Sequence, residues 1–223
     1  MIAVDWLREE RLAYSQGRRT PAGIDEAGRG ALAGPVVAAC VVLPANCIPA
    51  GVNDSKKLSP EQRDICFENI QNSALAIGIG IVSEVDIDTI NILKATHEAM
   101  REALREVQRT ITPDIALIDG LPVRAFPLYQ KAIVKGDGLS VSIASASIAA
   151  KVTRDRLMVA LDVSYPGYGF ATHKGYGTPE HLNAIRALGP CPAHRLTFQP
   201  IASMLATGIP SPRSISKQQA LDF

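Results

Sequence analysis

The sequence is short of net charge, of paired cysteines, of long apolar runs and of internal repeats, and each shortage narrows what the chain can be. Its 223 residues carry 23 Lys and Arg against 22 Asp and Glu, so the formal net charge is only +1 and gives no outward sign of a polyanionic partner. The four cysteines, Cys40, Cys47, Cys66 and Cys191, form neither a C-x-x-C metal pair nor a compact disulfide framework. Free thiols in a reducing compartment are expected. The longest apolar stretch, Ala31 to Ala45, is interrupted by Gly34, Pro35 and Pro44 and is too short to span a bilayer. Charges at Asp5, Arg8, Glu9 and Glu10 break the apolar core that a secretory signal would need. The expectation is a soluble, cytoplasmic protein with no membrane partner. No internal repeat is visible, which excludes a repeat architecture.

What is present starts with a composition of 47% hydrophobic and 20% charged residues, which excludes global disorder. A chain of this length suits one domain that buries ~70% of its extended surface, with no need of a metal or disulfide staple. The charge is unevenly divided. Residues 1–119 carry 12 Lys and Arg against 17 Asp and Glu, whereas residues 120–223 carry 11 against 5. The near-neutrality is a cancellation between an acidic first half and a basic second half.

Hydrophobic periodicity gives the coarse organisation. Residues 2–14 have roughly helical spacing. Ala22 to Asp25 reads as a strand entering a glycine-rich turn, and Val36 to Leu43 as a β-branched strand leaving it, which suggests a hairpin. Ser59, Pro60 and Gln62 form the N-cap, first-turn proline and capping-box glutamine of a helix. Residues 74–82 read as a third strand. A capped turn at Ser83 and then a long amphipathic helix are predicted, with Ile92, Thr96, Met100, Ala103, Leu104 and Val107 on the inner face of the helix. Residues 115–118 and 132–134 read as a fourth and a fifth strand, Ser142 toward Leu161 as a helix, and Thr178-Pro179-Glu180 as the start of another that stops near Gly189. The order β-β-α-β-α-β-β-α-α predicts an α/β domain with a mixed sheet and a Ser/Pro/Gly-rich tail from about Thr207.

The turn Gly28-Arg29-Gly30-Ala31-Leu32-Ala33-Gly34 is spaced G-x-G-x-x-x-G and leads into a strand, so it is no dinucleotide-binding fingerprint, which needs G-x-G-x-x-G opening a helix. Its neighbours matter more. Asp25 and Glu26 sit at the end of an apolar strand, and two further acids, Asp119 and Asp137, follow later strands. If those strands adjoin, four carboxylates surround one point, and their mutual repulsion calls for protons or divalent cations. Hard oxygen ligands favour Mg²⁺ or Mn²⁺. Two such ions can activate a water and stabilise the leaving oxygen of a phosphodiester displacement. Against this, a lone Asp beside Gly at a strand end is more often a turn residue than a ligand. On composition and periodicity alone both readings stand.

Longer motifs separate them. The string from Gly23 to Ala39, Asp54-Ser55-Lys56-Lys57-Leu58-Ser59, Lys135-Gly136-Asp137 running into Ser142 to Arg156, Gly167-Tyr168-Gly169-Phe170 with His173 to Thr178, and His194 to Pro200 together resemble, in order, the ribonuclease HII (type 2 ribonuclease H) family over roughly residues 20–202. The resemblance implies a ribonuclease H-like fold: a mixed five-stranded sheet flanked by helices with a C-terminal helical extension at about 160–205, the catalytic domain spanning 1–205 and a flexible tail 206–223. It implies an endonuclease acting on the RNA strand of RNA/DNA hybrids and at single ribonucleotides in DNA, leaving 3′-hydroxyl and 5′-phosphate ends. By position it implies Asp25, Glu26, Asp119 and Asp137 as ligands of two Mn²⁺ or Mg²⁺ ions. Gly28, Arg29 and Gly30 would contact the ribose 2′-hydroxyl through backbone, the group that tells RNA from DNA. Tyr176, with Tyr168 as the alternative, would stack on the following deoxyribose. Lys56, Lys57, Lys151, Arg154 and Lys174 are candidate phosphate contacts, which position a duplex without reading its sequence. One departure is local: many relatives have a small and then a basic residue after Lys-Gly-Asp, and this chain has Gly138-Leu139.

The chain ends Gln218-Gln219-Ala220-Leu221-Asp222-Phe223, which resembles the Q-x-x-L-x-F peptides that dock on the bacterial sliding clamp, with Gln218, Leu221 and Phe223 as anchors. A plain disordered terminus is the alternative. Within the enzyme class the rivals are the sister ribonuclease HIII, whose usual extra N-terminal domain the residues before Gly23 are too few to form, and another ribonuclease H-like nuclease such as a resolvase; from another class the rival is a non-catalytic hybrid-binding module, against which all four acids argue. A monomer is expected.

Overall fold

A computed structural model of the protein describes residues 5–208. The elements run α1 (Arg8–Ser15), β1 (Pro21–Ala27), β2 (Val36–Val42), a 3-10 turn (Ser55–Lys57), α2 (Pro60–Ser73), β3 (Ala76–Val82), α3 (Glu84–Ile90), α4 (Ile92–Gln108), β4 (Ile115–Asp119), β5 (Gln130–Ile133), a second 3-10 turn (Gly136–Gly138), α5 (Val141–Ser164), α6 (Phe170–His173), α7 (Pro179–Leu188) and α8 (Ile201–Ala206).

The strands form one mixed sheet in the order β3-β2-β1-β4-β5. β1 pairs antiparallel with β2 as the predicted hairpin, and β2 antiparallel with β3. β4 lies parallel to β1, and β5 parallel to β4. Every residue of β2 is buried, because helices cover both faces of the sheet. On one face Ile24, Ala38, Cys40 and Ile118 pack against Ala99, Met100, Ala103 and Leu104 of α4. On the other, Ala39 and Val41 pack against Phe67 and Ile70 of α2 and Ala146 and Ile148 of α5. Gly23 decides how close α5 can come: a Cβ there would lie 2.0 Å from the Ser142 carbonyl carbon. With no side chain in the way, the first turn of α5 rests on β1 directly beside Asp25. Glu10 of α1 accepts the Ser142 N–H at 3.0 Å and so holds the same turn from outside.

The capping signals are realised. Ser59 and Gln62 form a full capping box, and Ser83 and Thr178 accept backbone N–H groups of the turns they open. The capped turn at Ser83 extends into a helix of its own, α3, ahead of the long amphipathic helix α4. Asn91 adopts φ 71°, ends α3, and turns its side chain to accept the Lys94 N–H that opens α4. Asn reaches positive φ with little strain and caps well, so one residue serves both ends. The shift in phase leaves Ile92 half-buried and puts Ala95 and Ala99 on the inner face. The fifth strand lies at 130–133 rather than 132–134, and Val134 is exposed. A third apolar cluster joins Phe170, Ile185 and Ile201 from α6, α7 and α8 to Leu32 and Ala33 of the glycine-rich turn and Met158 of α5. The C-terminal helices are thereby seated on the turn that follows β1.

Candidate active site at the carboxyl ends of the central strands

β1 and β4 are parallel neighbours, so their carboxyl ends lie at the same edge, where open α/β sheets place their ligands. Ile24 pairs with Ile118, and the next residue on each strand is an acid, Asp25 and Asp119. Strand alternation turns both toward α5. Asp25 is only 5% exposed; its carboxylate accepts the Glu26 N–H at 2.7 Å and a hydrogen bond from Ser147 of α5. Burial, then the charges of Glu26 and Asp119, push its carboxyl well above the usual carboxylate range. Burial also raises Glu26, opposed by the Arg29 guanidinium 3.2 Å away. Asp119 accepts the Gly136 N–H at 2.6 Å and is raised by burial and by the charge of Asp137, which the second 3-10 turn places beside it. Asp137 in turn receives the Lys56 ammonium at 2.9 Å, and that bond raises the lysine.

Three of the four acids border a cleft of about 290 Å³, which Asp137 does not line. Asp25, Glu26 and Asp119 line it together with Gly28, Arg29, Gly30, Lys56, Lys151 and Tyr176. Among the described residues no three His, Cys, Asp or Glu side chains converge closely enough to hold one ion as they stand. Lys56 and Arg29 supply the nearby positive charge. The donor set itself suits a hard divalent cation: it offers only carboxylate oxygens, and three of the acids are displaced toward the protonated form, first by burial and then by the charges of neighbouring acids.

The expected substrate contacts divide. Lys151 lines the cleft and pairs with Asp155 at 2.7 Å. Tyr176 is 37% exposed, with Lys151 5.8 Å and the Arg154 guanidinium 5.4 Å from its ring. Its free face is the aromatic surface of the cleft. Tyr168 is buried, stacked on Phe170 and hydrogen-bonded to the Gly189 carbonyl at 2.7 Å, and so offers no platform. Lys57 is exposed and leans toward Asp54 at 3.7 Å, off the cleft. Lys174 borders a separate hollow with Arg63, Asp64 and Arg156, and its ammonium donates to the Ala171 carbonyl.

Arg154 corrects the sequence expectation. It has no exposed surface, and its guanidinium donates to the carbonyls of Pro35 (3.0 Å), Lys174 (2.9 Å) and Ala33 (3.0 Å), so it cannot reach a phosphate. Gly28 rests against it with φ 94°, and a Cβ at Gly28 would stand 1.9 Å from Arg154 Nε. Periodicity and charge had singled out none of Ser55, Arg63, Ser147 and Arg195. The first three line the cleft, and Ser55 and Ser147 share a hydrogen bond of 3.0 Å behind Asp25. Ser55, Ser147 and Arg195 lie within the family-like motifs, which marked the positions without giving their roles.

A mixed sheet in this order, with acids at the carboxyl ends of its parallel central strands and helices on both faces, defines a ribonuclease H-like nuclease. The sequence profile of Ribonuclease HII matches residues 22–201. A ribonuclease HII of Geobacter sulfurreducens is 56% identical over 200 residues, 90% of this chain and 91% of the relative. Among solved structures, the ribonuclease H2 of Pyrococcus horikoshii OT3 superposes with TM-score 0.72 at 26% identity, covering 85% of this chain and 98% of that one. The ribonuclease HII in a PCNA complex from Archaeoglobus fulgidus gives TM-score 0.68 at 28% identity, covering 81% and 96%. The chain belongs to the ribonuclease HII family, and it is a ribonuclease H, a phosphodiester hydrolase of a metal-dependent family.

Proposed function

We propose that the protein cuts on the 5′ side of single ribonucleotides embedded in duplex DNA, as well as within the RNA strand of RNA/DNA hybrids, leaving 3′-hydroxyl and 5′-phosphate ends during ribonucleotide removal. The observation that carries this is the shared cleft: Asp25, Glu26 and Asp119 line the same space as Gly28, Arg29 and Gly30, the last two exposed, so one ribose can meet both. Asp25, Glu26, Asp119 and Asp137 would hold two Mn²⁺ or Mg²⁺ ions, which supply Lewis acidity and a nucleophilic water when bound. The remaining work falls to the chain. Ser147 and the Gly136 N–H orient the carboxylates of Asp25 and Asp119. Lys56 and Lys151, which line the cleft, would contact substrate phosphates, and Tyr176 would stack on the following deoxyribose. The turn backbone contacts the 2′-hydroxyl and so favours a ribose over a deoxyribose.

The assay is a DNA duplex with one internal ribonucleotide, incubated with Mn²⁺, Mg²⁺ or EDTA, with Asp119→Asn alongside. Cleavage 5′ of the ribonucleotide, abolished by EDTA and reduced at least ~10³-fold by the substitution, is expected. Cleavage that survives either, or equal cleavage of the all-DNA duplex, would overturn the mechanism.

The proposal includes action as a monomer in the cytoplasm; no helix among the described residues is long and apolar enough to cross a membrane. It also includes docking on the bacterial sliding clamp through Gln218, Leu221 and Phe223, which lie outside the described residues. The PCNA complex of the Archaeoglobus relative supports a clamp partner for this family. Deleting 218–223 should leave hydrolysis intact and abolish clamp binding, and unchanged binding removes the idea.

A further inference from the structure

Behind the turn that follows β1 lie two guanidiniums with no exposed surface, Arg154 and Arg195. Among the described residues neither forms an ion pair, although buried charges are ordinarily paired. Carbonyl oxygens take the place of carboxylates. Arg195 donates from Nε to the Gly34 carbonyl and from Nη1 to the Arg29 carbonyl, each at 3.0 Å, and its guanidinium lies 5.1 Å from the Phe198 ring centre. Its Nη2 is buried without a hydrogen-bond partner.

Closing the turn does not require so costly a group. Main-chain bonds already tie it down: Leu32 N–H to the Gly175 carbonyl, Gly34 N–H to Ala193, and Arg195 N–H to Leu32, all at 2.8 Å. What the Arg195 side chain adds is a grip on the Arg29 carbonyl, at the centre of Gly28-Arg29-Gly30. That carbonyl belongs to the same planar trans peptide as the Gly30 N–H, so the two point in opposite directions. A carbonyl drawn inward onto the guanidinium turns the Gly30 N–H outward, where Gly30 is exposed on the cleft.

We propose that Arg195 is a positioning residue: by fixing the Arg29–Gly30 peptide plane from behind, it presents the Gly30 N–H to the ribose 2′-hydroxyl and so sets the preference for a ribonucleotide over a deoxyribonucleotide. This rests on the reading of the turn as the 2′-hydroxyl reader. Arg154, which holds the carbonyls of Ala33 and Pro35 farther along, steadies the turn but does not touch this peptide.

The test is the ratio of affinities for a duplex with one ribonucleotide and for the same all-DNA duplex, measured in the Asp119→Asn background to prevent turnover. Arg195→Lys keeps the charge but cannot grip both carbonyls, and Phe198→Leu loosens the guanidinium's seat without unpairing either carbonyl. In Arg195→Lys the ribonucleotide preference should fall about tenfold or more, as for a lost hydrogen bond to a charged group. Affinity for all-DNA duplex should hold; Phe198→Leu should shift the ratio the same way by less. A purely structural role would weaken both duplexes together. A protein whose parent shows no ribonucleotide preference refutes the reading of the turn and this inference with it. A parent with a clear preference that folded Arg195→Lys retains, or, where that variant does not fold, that Phe198→Leu retains, overturns the role of Arg195 alone.

Discussion

Asp25 shows at the scale of one residue how the site trades stability for chemistry. Its carboxyl is held above the usual range by burial and by neighbouring acids. A group whose native pKa is raised contributes fully to stability below its unfolded value and loses that contribution as pH rises through the native one. As pH rises above the unfolded value, the cation-free protein is therefore increasingly destabilised by a buried, crowded carboxyl. Asp25→Asn removes the charge and keeps the shape. The variant should melt higher than the parent in EDTA at pH 7, by several degrees for a gain of about 1–3 kcal/mol. Added Mg²⁺ should raise the melting temperature of the parent and leave that of the variant nearly unmoved, while cleavage is lost. Scanning calorimetry with and without EDTA checks this, and a variant that melts lower in EDTA refutes it.

At the scale of elements, the junction of α3 and α4 depends on one side chain. Asn91 holds φ 71° and caps the Lys94 N–H at 3.1 Å. Asn91→Ala should cost about 1–2 kcal/mol by losing the cap and straining the backbone, and Asn91→Gly less, because glycine accepts the angle. Urea denaturation should rank parent, Gly and Ala in that order of stability. The same junction shows what could be read in the sequence. Capping boxes at Ser59 and helix starts at Thr178 are local chemistry and were legible. The break at Asn91 was not, because apolar spacing runs across it with no glycine or proline to mark it. Nor was α6, four residues framed by left-handed Gly169 and Lys174 and too short to show a period. The strand-end acids were visible as soon as the strands were. Arg154 was misread because a basic residue on a helix looks alike whether it meets water or the carbonyl of Pro35, 119 positions away.

At the scale of the whole molecule, the C-terminal helices close over the glycine-rich turn through a cluster of buried imidazoles. His181 and His194 meet at 3.0 Å between ring nitrogens, His173 stacks on His181 with ring centres 4.3 Å apart, and Phe170 and Tyr168 wall the group in. The Cys191 sulfur lies 3.1 Å from His194 Nδ1, with burial pushing the thiol up to about 12. Burial lowers His181 to about 4; burial and the neighbouring His181 lower His194 to about 3. A base with a lowered native pKa stabilises the fold above its unfolded value, near 6.5, and loses that contribution as pH falls toward the native one. Between pH 7 and pH 5 each imidazole should withdraw roughly 2 kcal/mol, because the unfolded chain takes up protons that the cluster refuses. The raised carboxyls of the cleft act in the opposite sense, so the measurement belongs in the Asp25→Asn background. There, urea denaturation at both pH values should show a loss of several kcal/mol, and His194→Asn should flatten the dependence. Ala33 bridges to His194, and the Arg195 N–H donates to Leu32. Acid that loosens the cluster should therefore raise amide exchange at Leu32 and Gly34 before exchange rises in β1 and β2. An equal pH dependence in parent and His194→Asn would show that the imidazoles carry no such load.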